Sequence, residues 1–151
     1  MSINVIMKGD ILYAYVAGIV DGEGCIDLHV NGKRKCGKNN YAIRLTVGNT
    51  NQWVIEMLHM QFGGHVSIGR KKDTNPLHSK VYVWEVSSLK AYKVLNLVIP
   101  FLQIKKQQAL LAIQYQNRRK HSRNTALQDQ VLDEADYILL KSYKTHKREV
   151  L

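Results

Sequence analysis

Two carboxylates, Asp21 and Glu23, stand one residue apart among three glycines, Gly18, Gly22 and Gly24. Acids at the end of an apolar run can do two kinds of work. They can be solvated charges around an ordinary glycine-rich helix end, since glycines at helix C-termini are common. They can also sit at the base of a tight helix pair, where hard oxygen donors hold a divalent cation. The run before them begins at Asp10, whose carboxylate suits a helix N-cap. Ile11, Leu12, Tyr15, Val16, Ile19 and Val20 then follow at helical spacing, with Ala14, Ala17 and Gly18 between them. A helix that is apolar or small nearly all round is expected to be buried on more than one side. Ala17 and Gly18 leave room for a second helix backbone, and the glycines are expected to stop the helix abruptly.

After Gly24 the period changes to two. Ile26, Leu28 and Val30 alternate with Asp27, His29 and Asn31, the pattern of a half-buried strand. Lys33, Arg34, Lys35 and Lys38 crowd a polar loop after Asn31-Gly32. Tyr41 to Val47 resumes the alternation, so the pair is expected to be a hairpin with a basic tip. Asn49-Thr50-Asn51 is expected to cap a second helix with Trp53, Val54, Met57, Leu58 and Phe62 on its apolar stripe, ended by Gly63-Gly64. A third strand is expected from His65 to about Arg70, with Arg70, Lys71 and Lys72 as a second basic tip. A fourth spans Lys80 to Val86, its parity left open between Val81 and Val83 or Tyr82 and Trp84 inward. Leu89–Val98, Ile104 to about Arg119, and Leu127 to about Lys144 are expected helices, Pro100 breaking the first from the second. No linker or low-complexity tract divides the chain. The whole therefore reads as one α+β domain over residues 1–151.

The 151 residues are 45% hydrophobic, enough for a packed core. Lys and Arg outnumber Asp and Glu by 22 to 12, a net charge of +10, which favours a polyanionic partner. Two cysteines without a CxxC, and scattered histidines, argue against structural zinc and fit reduced thiols in an intracellular compartment. Between an organelle and a prokaryotic cytoplasm the residues do not choose. No membrane partner is expected, because the apolar run is too short to span a bilayer. No dinucleotide fingerprint or P-loop is present, and no small-molecule substrate is expected.

A four-stranded sheet under helices leaves one face open. Asp27, His29, Asn31, Lys33, Ala42, Arg44, Thr46, Ser67 and Lys80 fall on that face, with Tyr82 joining them if Val81 and Val83 point inward. A polar two-stranded ribbon fits a DNA major groove. The tips at Lys33, Arg34 and Lys35 and at Arg70, Lys71 and Lys72 would hold phosphates. The plain alternative is an ordinary solvated face.

Residues 16–24, Val-Ala-Gly-Ile-Val-Asp-Gly-Glu-Gly, resemble the nine-residue signature of the LAGLIDADG homing endonucleases. Glu23 stands where that family usually has Asp. A second segment, Pro100 to Ala109, is similar to the family's PxLxxKxxQA-like segment, and the resemblance extends to about Tyr115. It implies an αββαββα fold with a four-stranded antiparallel, saddle-shaped sheet and C-terminal helices. Because the motif occurs once, it implies a homodimer, with Tyr13, Ala14, Ala17, Gly18 and Asp21 at the contact. It assigns Glu23 to metal binding, with the backbone carbonyl of Gly22 beside it. Lys105 falls on the active-site lysine, though locally it could simply be a cation in a helix's first turn, an electrostatically poor place. Asn49 and Asn51 lie where some members carry water-ordering groups, and capping the next helix is the expected job of at least one.

The resemblance implies cleavage of double-stranded DNA at a long pseudo-palindromic site, leaving 3′ overhangs, and an intron-encoded origin. The expected cofactor is Mg²⁺ or Mn²⁺, with Ca²⁺ binding but not supporting cleavage. Metal held by carboxylates supplies an activated water, a Lewis acid and leaving-group stabilisation. One Glu23 is too few ligands, so two copies are a chemical requirement. An RNA maturase and a catalytically silent DNA-binding regulator are the rival readings on the same scaffold.

Overall fold

The computed structural model describes residues 8–69, 79–121 and 127–145. Their order is α1 (Gly9–Glu23), β1 (Gly24–Lys33), β2 (Asn39–Asn49), α2 (Gln52–Phe62), β3 (His65–Ile68), β4 (Tyr82–Ser87), α3 (Ser88–Val98), α4 (Lys106–His121) and α5 (Leu127–Thr145). The strands form one antiparallel sheet in the order β1-β2-β4-β3. This is the expected α+β arrangement.

Period-two patterning decides the faces of the sheet. Ile26, Leu28, Ile43, Leu45, Val47, Trp84 and Val86 are buried on its inner side. Leu12, Val16 and Val20 of α1, Ile55 and Leu58 of α2, Val94, Leu95 and Val98 of α3, and Ala109, Ala112 and Tyr115 of α4 close over them. β4 is the one strand the alternation left undecided. Trp84 settles it, being fully buried with its indole N–H donating to the carbonyl of Gly63 at 2.7 Å. Tyr82 has the same parity and packs against the core. It therefore leaves the open face, and Val83 and Glu85 take the outer positions instead.

Several expectations shift for local reasons. Helix α1 starts at Gly9 with Lys8 in the N-cap position, so Asp10 lies inside the first turn and does not cap. There its carboxylate still favours the helix macrodipole. The helix runs through Gly18 and Gly22 and ends only after Glu23, where Gly24 donates its N–H to the carbonyl of Val20. A Cβ on Gly24 would lie 2.6 Å from that carbonyl oxygen, so glycine alone fits there. In α2, Ile55 takes the core position expected for Trp53, which is exposed. α4 begins at Lys106, two residues later than expected.

Helix α5 lies along the β1 edge. Leu140 enters the core, and the ring of Tyr137 stacks on Tyr41 with centroids 4.8 Å apart. The last turn brings Lys144 Nζ to 3.6 Å from Asp27 Oδ2 and 3.1 Å from Cys25 Sγ on the outer face. No helix of the described residues is long and apolar enough to cross a membrane.

Candidate active site and nucleic-acid interface

The two acids at the end of α1 have separate tasks. Asp21 is 9% exposed and points into its own chain. Its carboxylate accepts the backbone N–H groups of Gln103, Ile104 and Lys105 at 2.8, 3.2 and 2.9 Å. Burial would push this carboxyl up, but the three N–H donors and the Lys105 charge outweigh it and hold its pKa below the usual 3.8. Asp21 is thus a brace between α1 and the turn leading into α4. Glu23, two residues on, is exposed.

Lys105 completes the brace. Its buried ammonium donates to the carbonyls of Val20 and Asp21, both at 2.8 Å. This removes the electrostatic objection to a cation at the head of α4. The residue precedes that helix and serves the carbonyl end of α1, where positive charge is favoured. Its charge lies against the turn that carries Glu23.

The outward side of α1 is bare. Ile11, Ala14, Tyr15, Gly18 and Gly22 form an exposed stripe, Ile11 being 71% exposed. Among the described residues, a Cβ built on Gly18 or Gly22 meets nothing within 4 Å. Of the residues expected at a helix–helix contact, Ala14 and Gly18 lie on this stripe. Ala17 does not, because it is fully buried in the chain's own core. Asp21 is committed to the brace, and Tyr13 is half-buried against the core. Ile11, Tyr15 and Gly22 share the exposed stripe, which the sequence does not single out because an all-round apolar helix gives no hint of which side the sheet takes.

Glu23 and the carbonyl of Gly22 are hard oxygen donors in an open last turn, a set that suits Mg²⁺ and not a soft metal. Among the described residues no group of three His, Cys, Asp or Glu side chains converges to hold an ion. With Asp21 committed to the brace, Glu23 is the one exposed carboxylate at this end of the helix.

The outer face of the sheet is polar and internally paired at its centre. Arg44 donates to both carboxylate oxygens of Asp27, at 3.1 and 3.0 Å, and approaches Glu85 at 3.9 Å. The bonds to Asp27 raise the Arg44 pKa further above its ordinary value. Thr46 faces Cys25 and Glu85 across the ladder, and Ser67 faces Val83. His29 is half-buried opposite Ala42. Glu85 and Lys144 were not expected on this face. Glu85 follows once Trp84 is turned inward, whereas nothing local places Lys144 beside Asp27.

Asn31, Lys33, Lys35 and Lys80 are exposed at the rim. Arg34 is not a free cation. It is 11% exposed and bonded to Asp133 of α5 at 2.7 Å. Arg70, Lys71 and Lys72 lie outside the described residues. Asn51 caps α2, its side chain accepting the Trp53 N–H at 3.0 Å, and Asn49 accepts the Asn51 N–H at 2.7 Å. Both oxygens are used by local backbone.

No family model matches the sequence, and no curated protein matches it. Solved structures do match. The homing endonuclease I-CvuI, in complex with its target in the presence of Ca, superposes with a TM-score of 0.67 at 21% identity, over 87% of this chain and 81% of that one. The archaeal intron-encoded homing endonuclease I-Vdi141I, complexed with DNA, gives 0.70 at 19% identity, over 89% and 84%. The I-SmaMI LAGLIDADG homing endonuclease, bound to cleaved DNA, gives 0.58 at 22% identity, over 88% of this chain but 43% of that one. The chain has the fold of the LAGLIDADG homing endonucleases.

Proposed function

We propose that two copies of this chain form a divalent-metal-dependent, site-specific endonuclease for double-stranded DNA. The observation that carries the reading is the exposed stripe Ile11, Ala14, Tyr15, Gly18 and Gly22, which leads to an exposed Glu23 in a helix end braced from behind by Asp21 and Lys105. Close packing of two such stripes brings two acids together at a twofold axis, and that symmetry implies a roughly palindromic target. Bound Mg²⁺ would supply the Lewis acid and activated water for phosphodiester hydrolysis. Glu23 and the Gly22 carbonyl would hold it. Lys105 keeps the helix end rigid and adds positive charge where the phosphate's negative charge grows.

Base reading falls to the outer face, where the Asp27–Arg44 pair presents donors and acceptors in fixed positions. Lys33, Lys35, Lys80 and Lys144 surround that face and suit phosphates. The neighbours of matching fold, solved on DNA targets, support the same reading.

A plasmid library of randomised sites, incubated with and without Mg²⁺, tests it. Metal-dependent linearisation that disappears in Glu23→Gln, with the dimer retained, is the expected result. Tight metal-independent binding without cutting would instead mark a DNA-binding regulator. Selective retention of structured RNA would mark a maturase.

A further inference from the structure

The β1–β2 hairpin projects beyond the core. From Val30 to Lys33 every residue of β1 is exposed, and the ladder shifts register between Val30 and Lys33. The tip is closed by short backbone bonds, Arg34 N–H to Lys38 at 2.8 Å and Gly37 N–H to Arg34 at 2.9 Å. Its far side does not pack flush on α5. An open groove of about 600 Å³ runs between them, with Lys38 and Tyr41 on one wall and Val131 and Ile138 on the other. Apolar contact with α5 is the Tyr41–Tyr137 stack at the base of the hairpin; toward the exposed tip, polar bonds make the connection.

Asp133 of α5 anchors those bonds. It is 1% exposed and accepts from Arg34 at 2.7 Å, Arg118 at 2.9 Å and Arg119 at 3.5 Å. Arg119 also donates to Asn40 at 2.9 Å, and Tyr41 donates to Glu134. Arg118 has a second partner in Asp136 at 2.7 Å. Yet Nε and Nη1 of Arg34 are shielded from solvent without a partner among the described residues. A buried network left partly unsatisfied adds little stability compared with apolar packing. What a short, directional ion pair does supply is orientation.

We infer that Arg34 and Asp133 are a positioning pair, by which α5 holds the β1–β2 hairpin at the attitude that sets which base pairs it reads. The inference rests on the DNA-cleaving reading for its consequence, but not for its mechanics. Arg34 acts through the hairpin and does not touch DNA.

Arg34→Gln tests this, because it leaves Asp133 paired with Arg118 and Arg119 and so preserves the fold. In the DNA-free protein, amides of residues 30–41 should exchange about tenfold faster, with those of α1 and β4 unchanged. In library cleavage, discrimination at the outermost base pairs should fall about three- to tenfold while the best site is still cut, and the salt slope of binding should stay unchanged. Arg34→Lys should restore part of the discrimination. Unchanged hairpin exchange would overturn the inference. So would a uniform loss of affinity across sequences with the salt slope reduced by about 1, the signature of a phosphate contact. A wild-type protein that cuts no library member would remove the nuclease reading, and the exchange data would still decide the positioning pair.

Discussion

Asp21 acts through the backbone. Three N–H groups of the segment before α4 converge on one carboxylate, and Lys105 returns the contact to the carbonyls of α1. The folded pKa of Asp21 is depressed, so its stabilisation is complete above the ordinary value of 3.8 and is lost as pH falls through the lower folded value. Asp21→Asn removes the charge and turns an amide N–H toward those donors. It should cost about 1–3 kcal/mol at neutral pH, and urea titrations should show the gap to wild type closing as pH falls below 3.8. A gap that stays constant with pH would mean that the charge does not matter. The motif's spacing marked Asp21 as an acid at a helix end. Its partners, 82 to 84 residues away, had no local signal.

Among the elements, α1 carries the proposed dimer contact. Its inner side is satisfied by the core and its outer side is bare. Gly18→Leu should therefore leave the single chain folded, since the new side chain meets open space. It should split the dimer, because the helix backbones could no longer approach. Sedimentation and thermal melts check both halves, and an intact dimer would place the contact elsewhere. The elements themselves were legible. Alternation assigned the faces of β1 over Ile26–Leu28 and of β2 over Ile43–Val47, but toward the hairpin it failed, Val30 being exposed and Ala42 buried. Tyr82-Val83-Trp84 are all good strand formers at either parity, and only the docking of Trp84 beneath Gly63 resolves them. The same limit hid Arg34, a loop cation by every local criterion, whose carboxylate partner is 99 residues away.

At the scale of the whole molecule, charge is sorted. Paired charges occupy the centre of the outer face, and exposed lysines occupy its rim. Binding of an arbitrary duplex should weaken steeply with salt. Lys33→Gln and Lys35→Gln should each flatten the slope of log K against log [salt] by about 1 per chain without altering site preference. Fluorescence anisotropy across a salt series measures it. A slope that does not move would take the hairpin tip out of the phosphate contacts. The +10 balance pointed to this behaviour, but only the folded chain separates lysines free to meet phosphate from the arginines already spent on Asp133.

The bare stripe of α1 also links reactivity to abundance. If each chain owns half of the metal-holding set, the competent species is the pair, and well below the dissociation constant a tenfold dilution reduces it about a hundredfold. A cell making few copies would hold them as inert halves, and nicking activity would rise with the square of expression. Two small residues, Gly18 and Gly22, would thereby act as a dosage threshold for DNA damage.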